Sequence, residues 1–138
     1  MTNPKPLSTE AEACRNVLAD WITKCQARID YVLDEKGNRI YSRDKIKPFV
    51  ETLLEAMGLS GLGFTMWRHS AYTPIEPDPP TGLYLIPIQI ISGQPQMIKD
   101  GRQYQIVPGW YTLTEGSFEL TPDFDCLFAG DSSKVKGA

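Results

Sequence analysis

Apolar residues change their spacing partway along the chain. From residue 9 to residue 57 they recur at helical intervals among charged ones. Beyond Gly58 they gather into short β-branched and aromatic runs, broken by Pro and Gly. Cys14, Val17, Leu18, Trp21, Cys25, Ile29 and Val32 follow the i, i+3, i+4, i+7 pattern of one helix face. This predicts a helix that stops near Asp30. Thr9 to Glu12 has the T-x-x-E form of a capping box, which would start it. Ile46, Phe49, Val50, Leu53, Leu54 and Met57 form a second stripe, opened by Ser42 and closed by Gly58. Pro48 falls either inside that helix or at its first position.

Between the two stripes, Tyr31 and Tyr41 bracket a turn cluster, Asp34-Glu35-Lys36-Gly37-Asn38. Gly37 or Asn38 can take positive φ there, so a short hairpin or loop is expected. Residues 59–70 are ambiguous. Gly61 and Gly63 oppose a helix, and the alternation of Phe64, Met66 and Arg68 with Thr65, Trp67 and His69 permits a strand. Residues 73–81 carry four prolines and read as an extended connection with few hydrogen bonds. Residues 83–91 read as a strand, with Pro87 marking an edge or a bend. Residues 94–99 and 102–107 flank Asp100-Gly101, a preferred two-residue hairpin turn. Residues 110–114 and 117–121 flank Glu115-Gly116, a second turn. Phe124, Cys126, Leu127 and Phe128 close the apolar series.

The expected fold class is therefore α+β: two N-terminal amphipathic helices packed on a C-terminal antiparallel sheet of four to five short strands. One domain is expected over residues 8–130, with flexible termini at 1–7 and 131–138. An apolar content of 41% in 138 residues is enough for one core without staples.

No apolar run reaches the ~18–20 residues a membrane span needs, and the first residues lack the pattern of a secretory signal. No membrane association is expected. The three cysteines are odd in number and form no CxxC motif, which fits a cytoplasmic, reduced protein. On one helix Cys14 and Cys25 would stand ~16 Å apart, too far for a disulfide, and they read as small core hydrophobes. Net charge is −3, so bulk charge does not advertise nucleic-acid binding. The charge is polarised, however. Residues 36–69 hold six basic and three acidic side chains, whereas residues 70–130 hold two basic and seven acidic ones.

Catalytic signals are sparse. The single histidine, His69, would have to meet a nucleophile and an orienting acid. Ser70 follows it directly and on a strand would point to the opposite face. The glycines of residues 58–63 lack the Lys-Ser/Thr ending of a P-loop. Asp123, Asp125 and Asp131 show no calcium-loop spacing. No catalytic residue, metal site or cofactor is expected.

Residues 55–68 (EAMGLSGLGFTMWR) resemble the turn and second helix of a helix-turn-helix DNA-binding module. Gly58 would form the turn, Ser60 the cap, and Phe64 and Trp67 the buried positions. The resemblance implies DNA binding by the 42–69 region. Thr65, Arg68 and His69 would approach bases, with Arg43, Lys45 and Lys47 on phosphates.

The leading expectation is a small cytosolic, non-catalytic binding or regulatory protein that works through a protein interface or as a homo-oligomer. Trp67, Arg68, His69, Tyr72 and Trp110 are its candidate partner-binding residues, since aromatic and Arg side chains dominate interface hot spots. The DNA-binding regulator is one alternative. A small-ligand pocket in the sheet half, lined by Trp67, Tyr72, Tyr84 and Trp110, is another.

Overall fold

A computed structural model describes residues 3–25, 28–77 and 82–130. In chain order its elements are β1 (Lys5–Pro6), α1 (Thr9–Cys25), β2 (Tyr31–Leu33), β3 (Arg39–Tyr41), α2 (Arg43–Ala56), β4 (Gly63–His69), β5 (Thr73–Ile75), β6 (Leu83–Ile90), β7 (Gln96–Lys99), β8 (Arg102–Gln105), β9 (Trp110–Thr114), β10 (Phe118–Leu120) and β11 (Phe124–Gly130). Seven strands form one sheet in the order β1-β9-β6-β11-β4-β3-β2, and four form a second in the order β5-β10-β7-β8. Neighbouring strands are antiparallel in both.

Strand alternation splits the core in two. Met66, Ile86 and Leu127 join Leu18, Ile22, Val50 and Leu53 of the helices on one side of the large sheet. Leu85, Phe124, Cys126 and Phe128 face the other way and meet Met97, Phe118 and Leu120 of the small sheet. The result is three layers: helices, large sheet, small sheet.

This corrects the expected fold class. Among the described residues two helices stand against eleven strands, not four or five, and strands precede, separate and follow the helices. Three local choices account for the difference. The Tyr31–Tyr41 segment does fold as a hairpin with Gly37 at φ +89°, but it then extends the large sheet past β4. Residues 63–69 are a strand with partners on both sides. Finally, Glu115-Gly116 does not close a hairpin. It carries the chain from β9 in the large sheet to β10 in the small one. Lys99 is buried and its Nζ donates to the carbonyls of Glu115 and Ser117, which holds the crossing in place. The Asp100-Gly101 turn does close a hairpin, with both residues at positive φ (52° and 75°) and Lys99 paired with Arg102.

Helix α1 differs in detail from expectation, whereas α2 takes one of the two expected placements of Pro48. Ser8, not Thr9, caps α1: its Oγ accepts from the Ala11 N–H at 3.1 Å, while the Glu12 carboxylate turns to Arg15. The buried face is Ala11, Leu18 and Ile22, and Val17 is 56% exposed. Pro48 lies inside α2, on its exposed side. Beyond α2, the Leu59 N–H donates to the Leu54 carbonyl and the Gly58 N–H to the Glu55 carbonyl. This is a Schellman ending, with Gly58 at φ +74°.

Residues 1–7 were expected to be loose. Lys5 and Pro6 instead pair with Tyr111 and Trp110, and the Leu7 N–H donates to the Gly109 carbonyl at 2.8 Å. Residues 1–2 and 131–138 lie outside the described residues, as do 78–81 of the proline-rich connection. Its first part, Thr73–Ile75, is not a bare connection but pairs with β10.

Candidate functional site

Strand β4 sends its side chains to opposite faces, and this separates the residues expected to act together. Arg68 points to the helix side. There its Nε and Nη2 donate to Asp125 Oδ1 and Oδ2 at 2.8 and 2.9 Å. Gln89 Nε2 donates to Oδ2 at 2.8 Å, and the Tyr41 hydroxyl reaches Oδ1 at 3.4 Å. Thr23 Oγ1 of α1 donates to Gln89 Oε1 at 3.2 Å. Asp125 is fully buried. Burial, helped by the Asp125 charge, pushes the Tyr41 phenol up to about 12. Burial alone would weaken the charge of Arg68, but the Asp125 hydrogen bond and charge outweigh it and raise its pKa. With four donors on one carboxylate, this knot ties β3, β4, β6 and β11 together.

His69 lies on the opposite face, between the sheets. Its ring stacks on Trp67 and Phe124, with centroids 5.7 and 5.1 Å away, and meets the edge of Phe128 at 5.6 Å. Neither ring nitrogen has a hydrogen-bond partner among the described residues. Burial lowers its pKa to about 4, so it is neutral at pH 7. Cys126 shares this face, and burial raises its thiol well above the usual value. The thiolate and imidazolium that an activated Cys–His pair needs are both disfavoured here.

The remaining candidates scatter. Trp67 is half-buried, and its Nε1 donates to Thr65 Oγ1 at 3.0 Å. Tyr72 is 48% exposed and Trp110 42% exposed. Of the five residues proposed to bind a partner, these two alone reach the surface as large exposed side chains. The pocket expected from Trp67, Tyr72, Tyr84 and Trp110 does not assemble. Tyr84 packs on the helix side beside Tyr111, while Trp67 faces the small sheet.

The helix-turn-helix geometry is also absent. A second helix would have to occupy residues 60–69, and β4 runs there instead, since the Schellman ending at Gly58 releases the chain into an extended course. Thr65 and Arg68 are buried. Arg43 lies with its guanidinium 4.1 Å from the centre of the Phe64 ring and donates to the Phe64 carbonyl. Lys45 Nζ donates to the Arg28 carbonyl, and Lys45 and Lys47 are exposed.

Trp110 does border a cleft. Leu85, Pro87, Met97, Tyr104, Ile106 and Thr112 line it with Trp110, between the β6–β9 part of the large sheet and β7–β8 of the small one. Its volume is about 200 Å³. Pro87 stands beside an irregularity in β6: Gln89 pairs with Asp125 and Pro87 with Cys126, so Ile88 is an extra residue, and Pro is commonly found at such bulges. The sequence signal was the alternation of Leu83, Leu85 and Pro87, but nothing in it placed Tyr104 and Met97 opposite.

No family model and no curated protein matches the sequence. Among solved structures, the chain is similar to a prolyl-4-hydroxylase from Pseudomonas putida, with a TM-score of 0.53 and 13% identity, over 98% of this chain and 92% of that one. At this identity the likeness concerns the fold.

Proposed function

We propose that this protein is a non-catalytic binding protein of the cytoplasm, and that it engages another protein by taking one apolar side chain into the cleft beside Trp110. The observation that carries the reading is a large indole, 42% exposed, at the rim of a mainly apolar cleft. Trp is among the residues most enriched at interface hot spots. Size narrows the occupant. About 200 Å³ is below the ~300–1,000 Å³ of sites for drug-sized ligands and cofactors. It exceeds the ~150 Å³ that holds a benzene ring. One aromatic or branched aliphatic side chain fits that interval. Cys14, Cys25 and Cys126 are free thiols, which agrees with a reducing compartment.

The reading takes nothing from the structural neighbour's name, since a likeness at 13% identity concerns the fold. This chain has one histidine, and aromatic rings enclose it on three sides. Among the described residues no three His, Cys, Asp or Glu side chains group closely enough to hold an ion. No helix among them is long and apolar enough to cross a membrane.

A photo-crosslinking amino acid in place of Val107, an exposed cleft residue, tests the reading in the native cell. A discrete protein adduct that Trp110→Ala abolishes is expected, with thermal stability unchanged. Adducts that survive Trp110→Ala would refute the use of the cleft. If a benzene-sized ligand raises the melting temperature and no adduct forms, the small-ligand reading of the same cleft replaces this one.

A further inference from the structure

The opposite end of the large sheet carries a second surface, independent of the cleft. Strand β2 is the edge of that sheet, and Tyr31, Val32 and Leu33 are 41, 52 and 62% exposed. Three consecutive exposed apolar residues on an edge are unusual, because edges are commonly guarded by Lys, Pro or a bulge. None of these interrupts β2.

Hydrogen bonding shows which backbone groups are free to pair. The Asp34 N–H donates to the Asn38 carbonyl, and the Ser42 N–H donates to the Asp30 carbonyl. In an antiparallel ladder, alternate residues bond the same neighbour. Residues 30, 32 and 34 therefore face β3, and Tyr31 and Leu33 turn their N–H and C=O outward. Two such residues can form four hydrogen bonds with an added strand. The Arg39 guanidinium, 4.5 Å from the Tyr31 ring centre, covers that ring on one face of the hairpin.

Charge decides what can pair there. Asp30 and Asp34 flank the strand on the same face as Val32. A second copy in the antiparallel register that uses Tyr31 and Leu33 would pair Val32 with its twin. It would also set Asp30 opposite Asp34 at both ends, and like charges directly opposed are destabilising. Asp34 stays ionised, since hydrogen bonds from Asn38 and Lys36 hold its carboxylate.

The geometry points to β2 as a strand-addition site for an extended segment of another protein, with an apolar centre of three residues and a Lys or Arg at each end. Main-chain bonds would give affinity and the two aspartates selectivity, as in other β-augmentation interfaces.

The test uses the full chain and a capped peptide of sequence Ser-Arg-Ile-Val-Ile-Arg-Ser. Saturable binding should slow amide exchange at Tyr31 and Leu33 and leave Val32, already bonded to β3, unchanged. Replacing both Arg of the peptide with Glu should weaken binding at least tenfold, as should Asp30→Lys in the protein. No binding, equal binding of the two peptides, or protection at Val32 in place of its neighbours would overturn the proposal. So would a dimer in light scattering that Val32→Lys dissociates, which would assign the edge to self-pairing.

Discussion

Arg68 and Asp125 stand directly opposite each other on β4 and β11, and the guanidinium holds both carboxylate oxygens at 2.8 and 2.9 Å. The pair is nearly closed to water. Removing one partner leaves a buried charge, which costs ~3–5 kcal/mol. Asp125→Ala should lower stability by that amount in urea denaturation. Replacing both residues with apolar ones of similar size should recover most of it. Equal losses in the single and double variants would contradict this account.

His69 sets a pH dependence. Its imidazole takes a proton near 6.5 when unfolded and about 4 when folded. Between those values the unfolded chain binds more protons, so stability is full above pH 6.5 and falls as the pH drops toward 4. The loss reaches about 3 kcal/mol, and the charge of Asp34 opposes the shift that produces it. His69→Phe keeps a ring among Trp67, Phe124 and Phe128 and removes the proton site. Its stability should vary less between pH 6.5 and 4 than that of the wild type, as chemical denaturation at each pH would show.

Gly58 ends α2 at φ +74°, and a Cβ there would meet nothing within 4 Å. The cost of Gly58→Ala is therefore a backbone cost alone, about 1–2 kcal/mol. Gly58→Asn should lose less, because Asn tolerates this conformation better. Thermal unfolding of the two variants checks the ranking.

Lys99 joins the sheets by donating to two carbonyls on either side of Gly116. Lys99→Met keeps the stem and leaves both carbonyls short of a donor, which should cost ~1–3 kcal/mol. Faster amide exchange near residues 115–118 than in β4 would locate the damage at the crossing. Uniform acceleration would argue against a local role.

The sequence made local features legible and long-range ones not. The amphipathic stripe of α2, the Asp34–Asn38 turn and Asp100-Gly101 all follow from spacing and from glycine chemistry within a few residues. Segment 59–70 was undecided, because its alternation suited a strand while its neighbourhood suited a second helix. The long-range partners β3 and β11 decided it. Glu115-Gly116 looked like a hairpin turn, since turn chemistry does not say whether two flanking strands pair. Trp110 could be read as an exposed aromatic. Arg68 and His69 could not be read as buried, because partners that help enclose them lie more than fifty positions away along the chain (Asp125 for the one, Phe124 and Phe128 for the other).

The place of β11 has a kinetic consequence. It is the last strand in chain order among the described residues, yet it sits fourth of seven in the large sheet, joining β6 to β4. The two halves of that sheet have no seam between them until residues 124–130 arrive. The facing edges of β4 and β6 therefore stay unpaired until the chain that forms β11 is in place. Contacts this distant in sequence also place the chain among slow folders.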